Sequence, residues 1–155
     1  MSSTFRVRAG AVIIKNDAIL LIEYQDENGT HYNLPGGGVE PGESTHETIK
    51  RELKEEACVD VNVGELIFVY EYLPHKSSFR YGHRASLQMF FECKLCSDQI
   101  PTLPVHPDRY QTAVLWVSLN QLDQIDLNPK IGNQIIHYSK TRKSIPFLKE
   151  ESLYD

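Results

Sequence analysis

Long apolar runs are missing from this 155-residue chain. No stretch approaches the roughly 20 consecutive apolar residues of a membrane-spanning helix. The first residues also lack the basic start and apolar centre of a secretory signal, so the expected location is cytoplasmic. Cysteine is scarce too, and three of them, an odd number, do not suggest a disulfide framework. Cys93 and Cys96 are spaced C-x-x-C, but on a strand that offset sends them to opposite faces, and no second pair completes a metal site. Nor is there an excess of cations. The formal charge of -5 opposes generic nucleic-acid binding, which needs a basic face for the phosphates. Internal repeats and low-complexity tracts are likewise absent.

What is present fits one domain, with 41% hydrophobic and 24% charged residues in the range of soluble globular proteins. Alternation predicts a strand from Phe5 to Lys15, a hairpin turn at Asn16-Asp17 and a returning central strand from Ala18 to Tyr24. A turn is expected over 26–29. Val61 to Tyr72 reads as a long strand with a bulge at Gly64. Ala85 to Cys93 reads as an alternating strand, and Thr112 to Ser118 as a strand carrying the single tryptophan, Trp116. A short helix opens at Leu119. Asn128 as N-cap, with Pro129 following, predicts a last helix to about Ser139. Residues 1–140 are therefore read as the domain, and 141–155 as a polar, loosely held tail. The order gives an α+β fold with a mixed sheet between helices.

The most informative stretch runs from Gly37 to Val59, with Gly36 just before it. Gly36, Gly37 and Gly38 free the backbone to pass close to a ligand. Pro41-Gly42 sets a turn. Ser44 and Glu47 have the spacing of a capping box, so a helix should start at Thr45. That helix carries Glu52, Glu55 and Glu56 towards its C-terminal end, where three carboxylates repel one another and the negative end of the helix dipole. A divalent cation removes the conflict, and oxygen-only ligands suit Mg²⁺ or Mn²⁺ better than Zn²⁺. The alternative, a solvated acidic face, does not account for a glycine run, a turn and a capping box at fixed offsets before the acids.

Gly37, Glu43, Arg51-Glu52-Leu53, Glu55-Glu56 and Val59 stand at the spacing of the Nudix box, and the stretch resembles that motif in all but one place: Cys58 occupies the position of a glycine. A glycine after a helix usually takes the left-handed conformation that ends it, so Cys58 is expected to alter the helix exit slightly. The resemblance implies a Nudix fold, an α/β/α sandwich, and Mg²⁺- or Mn²⁺-dependent hydrolysis of a phosphoanhydride bond in a nucleoside diphosphate linked to X. Carried over position by position, it implies Glu52 and Glu56 as metal ligands. Glu55 would bind a second ion or hold water, and the Gly36 carbonyl is a further ligand. It pairs Glu43 with Arg51 to hold the glycine loop. Glu52 and Glu55 are the general-base candidates within the box, and Asp108 is the later one.

The substrate expected is a small nucleotide, either a nucleotide sugar such as ADP-ribose or a nucleoside triphosphate. Arg8, Tyr32, Asn33, Arg80, His83 and Arg84 are the candidate substrate-binding residues, the last three on a segment where cations and aromatics alternate. Two other readings stay open: a nucleotide-binding regulatory module without hydrolysis, and a pyrophosphohydrolase acting on RNA 5′ ends. Nudix relatives often dimerise, so a homodimer involving the tail is compatible with the sequence.

Overall fold

The computed structural model describes residues 4–145 and 147–154. Residues 1–3, 146 and 155, which fall within the expected domain and tail, lie outside the described residues. Strands β1 (Arg6–Val12), β2 (Ile14–Lys15), β3 (Ala18–Asp26), β4 (Gly29–Asn33) and β5 (Gly36–Gly38) precede helix α1 (Thr45–Ala57). Then come β6 (Val61–Tyr72), β7 (Ser86–Leu95), β8 (Gln111–Ser118), helix α2 (Gly132–Thr141) and β9 (Leu148–Lys149). Short 3₁₀ turns lie at Pro74–Lys76, Leu119–Gln124 and Glu150–Ser152.

One sheet has the order β5-β1-β7-β6-β9, with β1 parallel to β7, β6 parallel to β9 and the other pairs antiparallel. The second is built on β3: β8 runs along it, while β2 and β4 pair with its two ends. The expected strand from Phe5 to Lys15 is interrupted at Ile13, where the chain crosses from one sheet to the other. Alternation sorts the side chains into two cores. Ala9, Ala11, Ile13 and Leu20 pack with Ile49, Leu53 and Ala57 of α1. Val12, Ile19, Leu21, Phe68, Tyr70 and Phe90 pack with Ile135 and Tyr138 of α2. The result is an α+β sandwich, with strands between two helices.

Local signals act where they stand in the sequence. Asn16 and Asp17 both have positive φ, 52° and 59°, as the tight turn between β2 and β3 requires. The β6–β7 register shifts around Gly64, between Val63 and Leu66, and a Cβ on Gly64 would lie 2.9 Å from the Glu92 carbonyl. The last helix starts later than expected, at Gly132. Asn128 N–H instead donates to Tyr32 O and Tyr32 N–H to Asp126 O, each at 2.8 Å, so residues 126–128 extend the edge beside β4. The tail is also corrected. Rather than hanging loose, it adds β9 to β6, and Ile145 N–H donates to Ile67 O at 2.8 Å. Glu150 is fully buried and accepts from Tyr70 Oη at 2.5 Å.

Cys58 takes the conformation glycine would take, with φ 58° and ψ 35°, and its N–H still closes the helix onto Leu53 and Lys54 carbonyls. The exit is therefore of the ordinary left-handed kind, with a Cβ in a region that disfavours it. Cys58→Gly is expected to stabilise the protein by about 1 kcal/mol, a rise in melting temperature of roughly 2–4 °C. An unchanged or lower melting temperature would contradict this reading of the cap.

Candidate active site

The site begins with the start of α1. Ser44 and Glu47 form the capping box, each side chain bonded to the other's backbone N–H. Burial of Ile49, Leu53 and Ala57 then fixes the rotation of the helix. Glu52 and Glu56, one turn apart, flank that apolar stripe and so lie under the glycine strand β5. A Cβ on Gly37 would come within 2.2 Å of Glu52 Oε1, so the carboxylate occupies the room a side chain there would need.

Arg51 ties this part together. Its Nε and Nη2 donate to Glu43 Oε2 and Oε1 at 2.8 and 3.0 Å, a two-pronged pair. Nη2 also donates to Gly38 O at 3.1 Å, and Nη1 to Glu52 Oε1 at 2.9 Å. Thr48 Oγ1 adds a 2.6 Å bond to Glu43. Bonds to Arg51 first, then to Thr48, hold the Glu43 carboxyl down at about 2. The expected pairing of Glu43 with Arg51 is thus present in the geometry, and it reaches further than expected, into the glycine strand and Glu52.

Glu56 is only 4% exposed. Its Oε1 accepts from Gly36 N–H at 2.9 Å and its Oε2 from Tyr24 Oη at 3.2 Å. Burial pushes its carboxyl up to about 8, opposed by the Gly36 bond and reinforced by the charges of Glu52 and Asp108. Burial also raises Glu52, against the pull of Arg51. Glu55 is more exposed and lies 3.4 Å from Arg51 Nη1. Among the described residues, no three His, Cys, Asp or Glu side chains already converge as a metal cage, and Glu52 and Glu56 are held by protein donors. The acids nevertheless fit a hard cation: they offer oxygen alone, share one helix turn, and add like charge to burial, Glu55 acting on Glu52 and Glu52 on Glu56. Gly36, Glu52, Glu55 and Glu56 are the residues that could hold it.

Beside the acids a cleft of about 360 Å³ opens over β1, β7 and β6. Of the candidate substrate residues, Arg8, Asn33 and Arg84 line it. Tyr32 does not, since its hydroxyl donates to Glu23 at 3.0 Å. The expected grouping of Arg80, His83 and Arg84 is divided by the fold. Arg80 lies 3.7 Å over the Tyr154 ring in an adjoining cleft, and His83 packs on Phe79. Asp108 falls on the site side, close enough to act on Glu52, Glu56 and Tyr24. Three residues were missed by sequence reasoning. Arg6 lines the cleft and sits on the same face of β1 as Arg8, so its i, i+2 spacing was a usable signal. Tyr24 and Gln111, whose amide donates to the Glu56 carbonyl at 2.8 Å, reach the site only through tertiary pairing and carried none.

The NUDIX domain model matches residues 4–138. The chain is 28% identical over 127 residues to the nucleoside triphosphatase NudI of Escherichia coli O1:K1, covering 75% of this chain and 84% of that protein. The crystal structure of a MutT NUDIX hydrolase from Burkholderia pseudomallei aligns with TM-score 0.63 at 25% identity, over 76% of this chain and 86% of that one. A UDP-X diphosphatase structure shares the fold, with TM-score 0.70 at 21% identity, over 95% of this chain and 68% of the other. So does an ADP-ribose pyrophosphatase from Streptococcus suis 89-1591, with TM-score 0.65 at 23% identity, over 94% and 99%.

Gly37→Ala separates the space at the site from the stability of the fold. The new methyl can be accommodated by moving the end of the Glu52 side chain, so the melting temperature should change little. With Glu52 as one of the residues that could hold the cation, displacing its carboxylate should weaken Mn²⁺ binding roughly 10–100-fold by calorimetry. Unchanged Mn²⁺ affinity would exclude Glu52 from the cation site.

Proposed function

This chain belongs to the Nudix family, and from that premise we propose that it uses Mg²⁺ or Mn²⁺ to hydrolyse a phosphoanhydride bond in a nucleoside diphosphate linked to X. It is a Nudix hydrolase acting on nucleotide derivatives. The reading is carried by one observation: Glu52 and Glu56 lie on one turn of α1, against the glycine strand, beside a cleft lined by arginines. The names of NudI, a nucleoside triphosphatase, and of the similar UDP-X diphosphatase and ADP-ribose pyrophosphatase support the same substrate range.

In this reading Glu52, Glu56 and the Gly36 carbonyl would hold the cation, and Glu55 would hold a second ion or a water. When bound, the cation supplies charge neutralisation at the phosphate oxygens and a more acidic water. Arg51, with Glu43, keeps Gly38 and Glu52 in register. Arg8, Asn33 and Arg84 orient the nucleotide. Proton removal from the attacking water falls to Glu52, Glu55 or Asp108, three acids within reach of the same region. Water then attacks phosphorus, and the anhydride oxygen leaves with the departing phosphate.

Release of phosphate or pyrophosphate across ADP-ribose, other nucleotide sugars, nucleoside triphosphates and 5′-triphosphorylated RNA, with Mg²⁺, Mn²⁺ or chelator, tests this. Turnover of a free nucleotide only with metal is expected. Glu56→Gln should lower it by roughly 100-fold or more, as removal of several kcal/mol of charge stabilisation requires. Turnover that persists in chelator, or a Glu56→Gln rate near wild type, would overturn the metal-dependent assignment.

A further inference from the structure

The two substrate types left open, nucleotide sugar and nucleoside triphosphate, are separated by the charges of the cleft itself. Arg6 and Arg8 alternate on β1 and so leave the sheet on the same side. Pairing places Ser86 beside Arg6 and Gln88 beside Arg8 on β7. Tyr72 and Tyr70 come next on β6. Arg84, two residues ahead of β7, brings a third guanidinium into the same cleft. Arg6 feels the charge of both the others.

Among the described residues none of these three arginines forms an ion pair, whereas Arg51, Lys54 and Arg142 have carboxylate oxygens at 2.8, 2.9 and 2.8 Å. The carboxylate that acts on Arg6 is Glu52, which Arg51 already holds at 2.9 Å. Three like charges on one concave surface repel one another and draw in a polyanion. In the neighbouring loop Arg80 is engaged on Tyr154 and His83 on Phe79. The positive charge is therefore concentrated where β1 meets the start of β7, with tyrosines beyond it.

We infer that Arg6, Arg8 and Arg84 form a polyphosphate clamp that selects a nucleoside triphosphate over a nucleoside diphosphate joined to a neutral sugar. This rests on the Nudix hydrolase reading for the kind of substrate, and on the cleft for the choice. A triphosphate offers a further charged phosphoryl group where a nucleotide sugar offers an uncharged ring. Guanidinium forks match phosphoryl oxygens in both charge and geometry.

Calorimetry in chelator, comparing inorganic tripolyphosphate with pyrophosphate, reads the clamp without catalysis. Wild type should bind tripolyphosphate at least about tenfold more tightly. Arg6→Gln and Arg84→Gln, with melting temperatures unchanged, should each weaken it about tenfold, the scale of one charge-assisted bond. Equal affinity for the two anions, or a tripolyphosphate affinity that neither substitution moves, overturns the clamp. Steady-state hydrolysis distinguishes its failure from that of the hydrolase reading. Triphosphates should show a higher kcat/KM than ADP-ribose, by a ratio that both substitutions narrow. Faster turnover of ADP-ribose, unaffected by the substitutions, removes the clamp and leaves the hydrolase. Selective tripolyphosphate binding without hydrolysis of any nucleotide supports the clamp and removes the hydrolase.

Discussion

The Arg51 guanidinium is the interaction on which the site depends. One side chain bonds the turn before α1 through Glu43, the glycine strand through Gly38 O, and the site itself through Glu52. These belong to three separate segments, and no single backbone element could align them. A fork of fixed planar donors does so because each prong points in a set direction, which a lysine ammonium would not reproduce. Its acidic partners need it in turn. Glu43 and Glu52 are both largely sheltered, so without the arginine both carboxylates would lose their strongest donor in a region already rich in negative charge.

The acids on α1 are an unresolved charge conflict that the fold preserves. Leu53 and Ala57 hold the helix against the sheet, which brings Glu56 into the interior together with them. A single backbone N–H from Gly36 and the Tyr24 hydroxyl then stand in for solvent. These donors do not compensate fully, since burial still leaves the Glu56 carboxyl at about 8. A buried group with raised proton affinity, next to two further acids, is a place that calls for compensating positive charge. The arginines of the cleft present the mirror image a short way along the surface: unpaired positive charge, suited to the phosphates that such a cation would help to hold.

Much of this was legible from local signals. The capping box, the Asn16-Asp17 turn and the Gly64 bulge each depend on a few neighbouring residues, and each occurs where the sequence places it. Glu43, Arg51 and the helix acids were legible for the same reason, being fixed by the period of one helix and the loop before it. What was hidden depends on distant partners. Asn128-Pro129 looks like a helix start, but backbone bonds to Tyr32 compete and prevail. The tail looks polar, yet it places Glu150 against Tyr70, 80 positions away. The run from Arg80 to Arg84 looks like one clamp, but its residues are divided between different surfaces, and the arginines that join Arg84 in the cleft are Arg6 and Arg8, near the start of the sequence.

Binding of Mn²⁺ to the wild-type chain and to a Glu52→Gln, Glu56→Gln double variant, followed by electron paramagnetic resonance, tests the central claim most directly. The account predicts saturable Mn²⁺ binding in the wild type and its loss in the double variant, with the fold retained. Undiminished binding in the double variant would place the cation elsewhere and contradict the reading of α1 as its holder.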